Sequence, residues 1–269
     1  MISTELRKRL QNPEDAMLWA QMIAFGPVVF QMTRCLRNFG VLEALHRSPD
    51  GLSPEGLREK IDLSEYSLSV LLDGGESAGL LIKEGDRYKL SRAGLMLLAD
   101  SVTKVNFDFT NDVCYEGAFN LEEALRANEP AGLKVFGDWN TIYEGLVQLP
   151  PVALKSWLAF DHFYSDAAFP LALPLVLKGH PKRVLDVGGN TGKFAAACAK
   201  SDSEVEVTIL DHPRQIELAL ARAKGEGLEG RVRGVPMNLL DHSVPSRRAL
   251  NVVWMSQFLD ASVKTIFCN

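Results

Sequence analysis

A chain of 269 residues with 46% hydrophobic and 23% charged side chains has the balance of a soluble globular protein, and its length suits two domains better than one. A formal net charge of −5 argues against a nucleic-acid partner, because phosphate binding needs a Lys/Arg surplus on some face. The 4 cysteines (Cys35, Cys114, Cys198 and Cys268) share no short spacing, which excludes a zinc knuckle and a disulfide framework and reads as reduced cytoplasmic thiols.

The opening stretch, MISTELRKRLQNPEDAM, is charged and has neither an apolar core nor a small-residue cleavage site, so no targeting segment is expected. The most apolar early stretch runs from Ala16 to Phe30. It reads as too short to span a bilayer, and Gln21, Gly26 and Pro27 interrupt it, so a helix buried against protein is expected and no membrane contact.

Residues 40–100 read as a winged helix. A short helix, Val41 to Arg47, ends in turn residues. Ser53 then caps a second helix with Pro54 at its first position, and Ser64 caps a third running toward Ala78. Two strands follow, Leu80 to Lys83 and Arg87 to Leu90, joined by Glu84, Gly85 and Asp86, and Ser91 opens a helix over Arg92 to Ala99. DNA binding by this domain is disfavoured. Residues 37–100 hold 8 basic side chains against 11 acidic ones, and the third helix carries Glu65, Asp73 and Glu76 with no Lys or Arg.

Residues 101–180 read as mainly helical and rich in aromatics. From 182 onward the pattern alternates: strand Arg183 to Val187, helix Thr191 to Lys200, strand Val205 to Leu210, helix Pro213 to Lys224, strand Arg231 to Pro236, strand Leu250 to Met255. Such alternation with short links predicts a parallel, doubly wound sheet.

The most informative string is RVLDVGGNTGKFA, residues 183–195. Asp186 stands near the strand's end, and Gly188, Gly189, Asn190, Thr191 and Gly192 form a turn into a helix. Glycines let this turn approach a ligand closely, and Asn190 is the non-glycine residue that best tolerates a left-handed backbone. A dinucleotide fingerprint needs glycine at the first, third and sixth positions, which here hold Gly188, Asn190 and Lys193, so a nicotinamide dehydrogenase fails. Asp186 would also repel a pyrophosphate. S-adenosylmethionine (SAM) has no phosphate and carries a sulfonium and an ammonium, so it suits an acidic strand end better. Asp211, ending the next strand 19 residues after Gly192, is placed to accept both ribose hydroxyls, or to cap the helix starting at Pro213. After the third strand, Asn238 and Leu239 lie where a loop would cover the adenine.

These residues resemble the small-molecule O-methyltransferases, the caffeate- and acetylserotonin-type enzymes and their bacterial relatives. GVLEALHRSPDGLSPEGL through LSRAGLMLLAD looks like that family's winged-helix dimerisation domain, RVLDVGGNTG like its first SAM motif, and ILDHP like its ribose-holding segment. The resemblance implies a homodimer, SAM as cofactor and a small-molecule methyl acceptor. The expected organisation is a winged-helix-like dimerisation domain over 1–105, a helical substrate-lining segment over 106–180, and a Rossmann-like SAM-binding domain over 181–269.

Two departures stand out. In the family a His-Asp pair follows the fourth strand and the His is the general base; the aligned positions here are Leu259 and Asp260, and leucine accepts no proton. The family's fold also continues beyond this strand with a helix and three more strands, so an incomplete sheet and a missing C-terminal part are expected. The replacement candidates lie in FDHFYSD: His162 as a base and Tyr164 as a hydrogen-bond donor, with a satisfied core histidine as the other reading of His162. Trp139 and Tyr143 are candidates for lining an aromatic acceptor pocket or for plain core packing. No His/Cys/Glu cluster has metal-ligand spacing, so no metal is expected. The reading is a SAM-dependent O-methyltransferase. The alternatives are a non-catalytic relative that binds SAM or a partner and, less favoured, a winged-helix regulator.

Overall fold

The computed structural model describes residues 3–237 and 251–256, and the chain divides into two compact units, Met1–Phe107 and Asp108–Asn269.

In the first unit, α1 (Thr4–Arg9) starts at Ser3, whose hydroxyl accepts from the Leu6 amide at 3.1 Å. Asn12 caps α2 (Pro13–Asn38) by accepting from the Glu14 and Asp15 amides, with Pro13 at the first helical position. This 26-residue helix runs through Gly26 and Pro27, and by length and composition it is long and apolar enough to cross a membrane. The sequence reading of a segment too short to span, interrupted at Pro27, is therefore corrected. The cap at Asn12 and the left-handed Gly40 (φ 78°) bound the helix, not the ends of the apolar run. Its C-terminal part is anchored through buried Thr33 and Leu36, while Met17, Leu18, Ile23, Phe25 and Val28 are exposed on its N-terminal part in the single chain.

The core of this unit gathers Leu36 with residues of three short helices, α3 (Val41–His46), α4 (Pro54–Arg58) and α5 (Glu65–Ser77). Ser53 and Ser64 cap α4 and α5 as expected, accepting from the Gly56 and Ser67 amides. A hairpin follows, β1 (Leu81–Glu84) and β2 (Arg87–Leu90), paired antiparallel from Leu81↔Leu90 to Glu84↔Arg87. Its first strand runs one residue later than read at both ends: the ladder opens at Leu81, and Glu84 pairs with Arg87, which leaves a two-residue Gly85-Asp86 turn with Gly85 at φ 64°. Ser91 caps α6 (Arg92–Ala99), and Asp100 caps α7 (Ser101–Phe109) by accepting from the Thr103 amide and hydroxyl.

The second unit opens with a π turn at Thr110–Cys114 and continues through α8 (Leu121–Ala127), α9 (Ile142–Gly145), α10 (Pro151–Asp166) and α11 (Phe169–Val176). Then come β3 (Arg183–Val187), α12 (Lys193–Ser201), β4 (Glu206–Asp211), α13 (Pro213–Gly225), β5 (Val232–Pro236) and β6 (Val252–Met255). The four strands are parallel in the order β5-β4-β3-β6. Val184, Val207, Ile209 and Val232 are almost fully buried in the sheet, each worth about 1.5–3 kcal/mol of burial. On α13 the buried set Gln215, Ile216, Ala219 and Ala223 follows the helical period, and small Ala219 lets the helix sit close to the turn after β3. Four element starts differ from the sequence reading, with β5 and β6 beginning at Val232 and Val252, one and two residues later than read. α12 begins at Lys193 because left-handed Gly192 (φ 73°) is its N-cap, which puts Thr191 in the turn. Val205 is fully buried but lies outside the ladder, which begins at Glu206.

The order of the strands locates the site. The chain leaves β3 toward β4 and β5 on one side, while β6 lies on the other side of β3. Open α/β sheets bind ligands at such a reversal, outside the carboxyl ends of the strands.

Candidate functional site

The carboxyl ends of β3 and β4 bring Asp186, the glycine turn and Asp211 together. Gly188 donates to the Leu210 carbonyl at 2.9 Å and takes φ 70°, a value a side chain would oppose. Gly189 is glycine for a different reason: a Cβ there would lie 2.8 Å from both Asp186 Oδ2 and Ile209 Cγ2. Asn190 sits at φ 49°, the left-handed conformation expected of it, and Gly192 closes the turn by donating to the Gly189 carbonyl. The Arg222 guanidinium on α13 holds the Thr191 carbonyl at 2.9 Å.

Both carboxylates of the site are buried. Asp186 is 2% exposed, and its Oδ2 has no hydrogen-bond partner among the described residues. Burial first, and the neighbouring Asp211 charge second, push its carboxyl up to about 7. Asp211 Oδ2 accepts from the Asn190 amide at 2.8 Å and Oδ1 from the His212 amide at 2.7 Å. Burial still raises its carboxyl above the usual range, with those two hydrogen bonds pulling the other way. The bond to Asn190 ties the tip of β4 to the turn after β3. Asp211 thus shapes the turn, a link the sequence reading did not include. The helix-cap alternative is not what its side chain does, since neither oxygen accepts from a residue of α13.

The C-terminal end of α10 lies against the same turn. Asn190 Nδ2 donates to Asp161 Oδ2 at 2.6 Å, His162 Nε2 is 3.1 Å from Thr191 Oγ1, and Lys193 Nζ donates to Asp166 Oδ2 at 2.5 Å. His162 Nδ1 also lies 3.5 Å from Asp166 Oδ1. Burial and, after it, the nearby Lys193 charge lower the imidazole's pKa, with Asp166 and Asp161 pulling the other way. Tyr164, the other catalytic candidate, packs its ring against Phe160 and Phe163 at 5.0 and 5.5 Å. Trp139 belongs to a cluster with Leu146, Leu149 and Ala153, and Tyr143 meets Trp157 edge-on at 6.2 Å. Asp161, Thr191, Asp166 and Lys193 were missed as site residues. For Asp161 and Asp166 the sequence signal was polarity at the end of an otherwise apolar helix, whereas Thr191 and Lys193 stand in the glycine string itself. Asn238, Leu239, Leu259 and Asp260 lie outside the described residues. Among the described residues no group of His, Cys, Asp and Glu is arranged to hold a metal ion.

Two orphaned buried oxygens, Asp186 Oδ2 and Asn190 Oδ1, need donors, and a phosphate supplies none at neutral pH. A ligand with a cationic or hydroxyl-rich end meets this requirement.

Comparison with known proteins points the same way. Residues 17–88 match the Dimerisation2-like domain family. An L-tyrosine C(3)-methyltransferase from Streptomyces lavendulae is 25% identical over 228 residues, 83% of this chain and 62% of its own length. A bacteriochlorophyllide d C-20 methyltransferase from Chlorobaculum tepidum is 32% identical over 130 residues, 47% of this chain and 38% of its own. Among solved structures, the S-adenosylmethionine-dependent methyltransferase SibL in its apo form aligns with a TM-score of 0.62 at 26% identity, covering 88% of this chain and 69% of that one. The chain therefore spans less than two thirds of the length of the curated relatives it matches.

Proposed function

We propose that this chain, a relative of the SAM-dependent O-methyltransferases of the bacterial natural-product type, binds SAM at the β3–β4 carboxyl ends and serves methyl transfer to a small molecule. The observation that carries the reading is the pair of orphaned acceptors, Asp186 Oδ2 and Asn190 Oδ1, in a turn too acidic for a phosphate. SAM brings a donor-rich amino-acid end and two ribose hydroxyls, and when bound it supplies an electrophilic methyl on a sulfonium. Asp186 balances the positive charge. Gly188, Gly189 and Gly192 let the backbone approach, and Asp211, already locked to the Asn190 amide, keeps lone pairs for the ribose hydroxyls. Asn238 and Leu239 cover the adenine in this reading. Methyl transfer by in-line displacement asks mainly for positioning, and holding the two reactants in line is the enzyme's chief contribution. His162 reaches the turn through its 3.1 Å contact with Thr191, and Tyr164 is the hydroxyl one helical turn beyond Phe160. Both stay in the reading as catalytic candidates in place of Leu259.

The same reading assigns residues 1–105 to a winged-helix dimerisation domain, 106–180 to a segment lining the acceptor, and 181–269 to a Rossmann-like SAM-binding domain. The exposed apolar N-terminal part of α2 falls largely within the Dimerisation2-like match and is read as the face that meets a second copy in the cytoplasm, with neither nucleic acid nor membrane as partner. A relative that binds SAM without turnover is the alternative, favoured by Leu259 at the family's base position.

Calorimetric titration of the chain with SAM and S-adenosylhomocysteine tests the proposal. Micromolar binding is expected, with Asp211→Ala weakening it by about 10–100-fold, the range for hydrogen bonds to a charged group. Absence of binding by the folded wild-type chain refutes it. Binding without transfer to any acceptor selects the alternative.

A further inference from the structure

Three side chains stand in the order of a hydroxyl, a base and the group that orients the base. Thr191 Oγ1 lies 3.1 Å from His162 Nε2, and His162 Nδ1 lies 3.5 Å from Asp166 Oδ1. Asp166 is held in turn by Lys193, whose ammonium donates to Oδ2 at 2.5 Å. The far end of this chain assigns the proton in its middle. A carboxylate paired with an ammonium only accepts, so the imidazole proton belongs on Nδ1, and Nε2 is the acceptor left facing the Thr191 hydroxyl. That hydroxyl directs its one proton at His162 and keeps its lone pairs. It does so from a half-buried position, not from a sealed core, and the His162 side chain is itself 18% exposed. Four charged groups face the imidazole: Asp161 and Asp166 from its own helix, Lys193 from α12 and Arg222 from α13. Burial and, after it, Lys193 lower its pKa, which favours the accepting form and suits it to a proton from an acidic source.

We propose that Thr191, His162 and Asp166 form a proton relay for methyl transfer to an acidic hydroxyl. The inference rests on the SAM reading above and deepens it by naming the acceptor class. The Thr191 oxygen takes the proton of the acceptor hydroxyl while its own proton passes to His162 Nε2. An electron pair of the acceptor oxygen forms the new O–C bond, the S–C pair stays on sulfur, and the positive charge ends on an imidazolium beside Asp166. Asp166 touches no reacting atom. It is the positioning residue that keeps Nε2 bare, and Lys193 fixes Asp166. No step asks for a histidine at position 259, where the chain has leucine.

Two measurements on the full chain test this. Proton NMR of His162 against pH, without ligand, reads the relay itself. Asp166→Asn is expected to lower the pH at which His162 titrates, because a carboxylate that favours the imidazolium is gone. Lys193→Gln is expected to raise it, because an opposing charge is gone. Both changes break the same contact, so a merely structural role would move both variants the same way, and that result overturns the proposal. The second measurement adds 4-nitrophenol at pH 6 to the chain loaded with S-adenosylhomocysteine and reads the yellow phenolate by absorbance. The bound probe is expected to be ionised, with the His162 signal moving to that of an imidazolium. Thr191→Val is expected to bind about 10-fold less phenolate, as for loss of a hydrogen bond to a charged group. A probe that stays neutral, does not bind, or is ionised equally by Thr191→Val overturns the proposal and leaves the SAM reading intact. Failure of the wild-type chain to bind S-adenosylhomocysteine overturns the SAM reading, and with it the relay's assignment to methyl transfer, whatever His162 does.

Discussion

Asp186→Asn is expected to stabilise the ligand-free protein while destroying its affinity for the cofactor. The Asp186 carboxyl is raised from 3.8 to about 7, by burial above all. A folded-state value above the unfolded one means that the fold holds a proton that the unfolded chain releases. The contribution of this carboxyl to stability is therefore greatest below about pH 4 and is lost as the pH rises toward 7. Above that, the displacement corresponds to about 4 kcal/mol of penalty, an upper bound because the buried site can relax. The amide carries no charge, so part of this is recovered: about 1–3 kcal/mol at pH 8, shrinking to little at pH 4–5. For a domain of this size that is about 3–10 °C in melting temperature at pH 8. Thermal melts of both proteins at pH 5 and pH 8, with an S-adenosylhomocysteine titration at pH 8, measure all three quantities. A variant less stable than the parent by the same amount at both pH values would refute the reasoning, since it would make the ionised carboxylate an asset to the fold.

Two further outcomes follow from the geometry. Gly192→Ala is expected to cost about 1–3 kcal/mol in denaturant unfolding, because a residue at φ 73° is strained and its Cβ would lie 2.8 Å from the Ala219 Cβ on α13. An unchanged unfolding midpoint would mean that the turn and α13 are not packed as described. Leu18→Glu combined with Ile23→Glu, at positions 61% and 65% exposed, should leave the melting curve of the chain's first unit in place and convert a dimer to a monomer in sedimentation. A protein already monomeric at micromolar concentration, or a dimer indifferent to the two charges, would remove α2 from the proposed interface.

How much of this was legible depends on how local the governing physics is. Ser53, Ser64 and Ser91 each cap a helix through an amide three residues away, so the start of each helix could be read from its own few residues. β3 was readable to the residue because a run of Val184, Leu185 and Val187, interrupted only by Asp186, ends at glycines. The turn at Gly188–Gly192 announced its chemistry through Asp186 and Asn190, both inside the same short string. Boundaries slipped where a single backbone angle decided them: Gly192 at φ 73° keeps Thr191 out of α12, and composition carries no sign of that. α2 was misjudged because Gln21, Gly26 and Pro27 weaken a helix without ending it, and a capped helix of this length outlasts one missing amide proton.

What stayed hidden is the contact between α10 and the turn. Asp161 and Asn190 are 29 residues apart, and their meeting depends on the rotation of α10 about its axis, which follows from packing and not from either local sequence. Seen alone, Asp161 is a polar residue in an aromatic helix and Asn190 a tolerable substitute for glycine. Seen together, they account for an orphaned oxygen. An acceptor held bare by its own neighbour lowers stability until a donor arrives, as does the buried Asp186 carboxyl beside it. Two such costs within one turn argue that the site was shaped for a donor-bearing ligand and not for the stability of the empty fold.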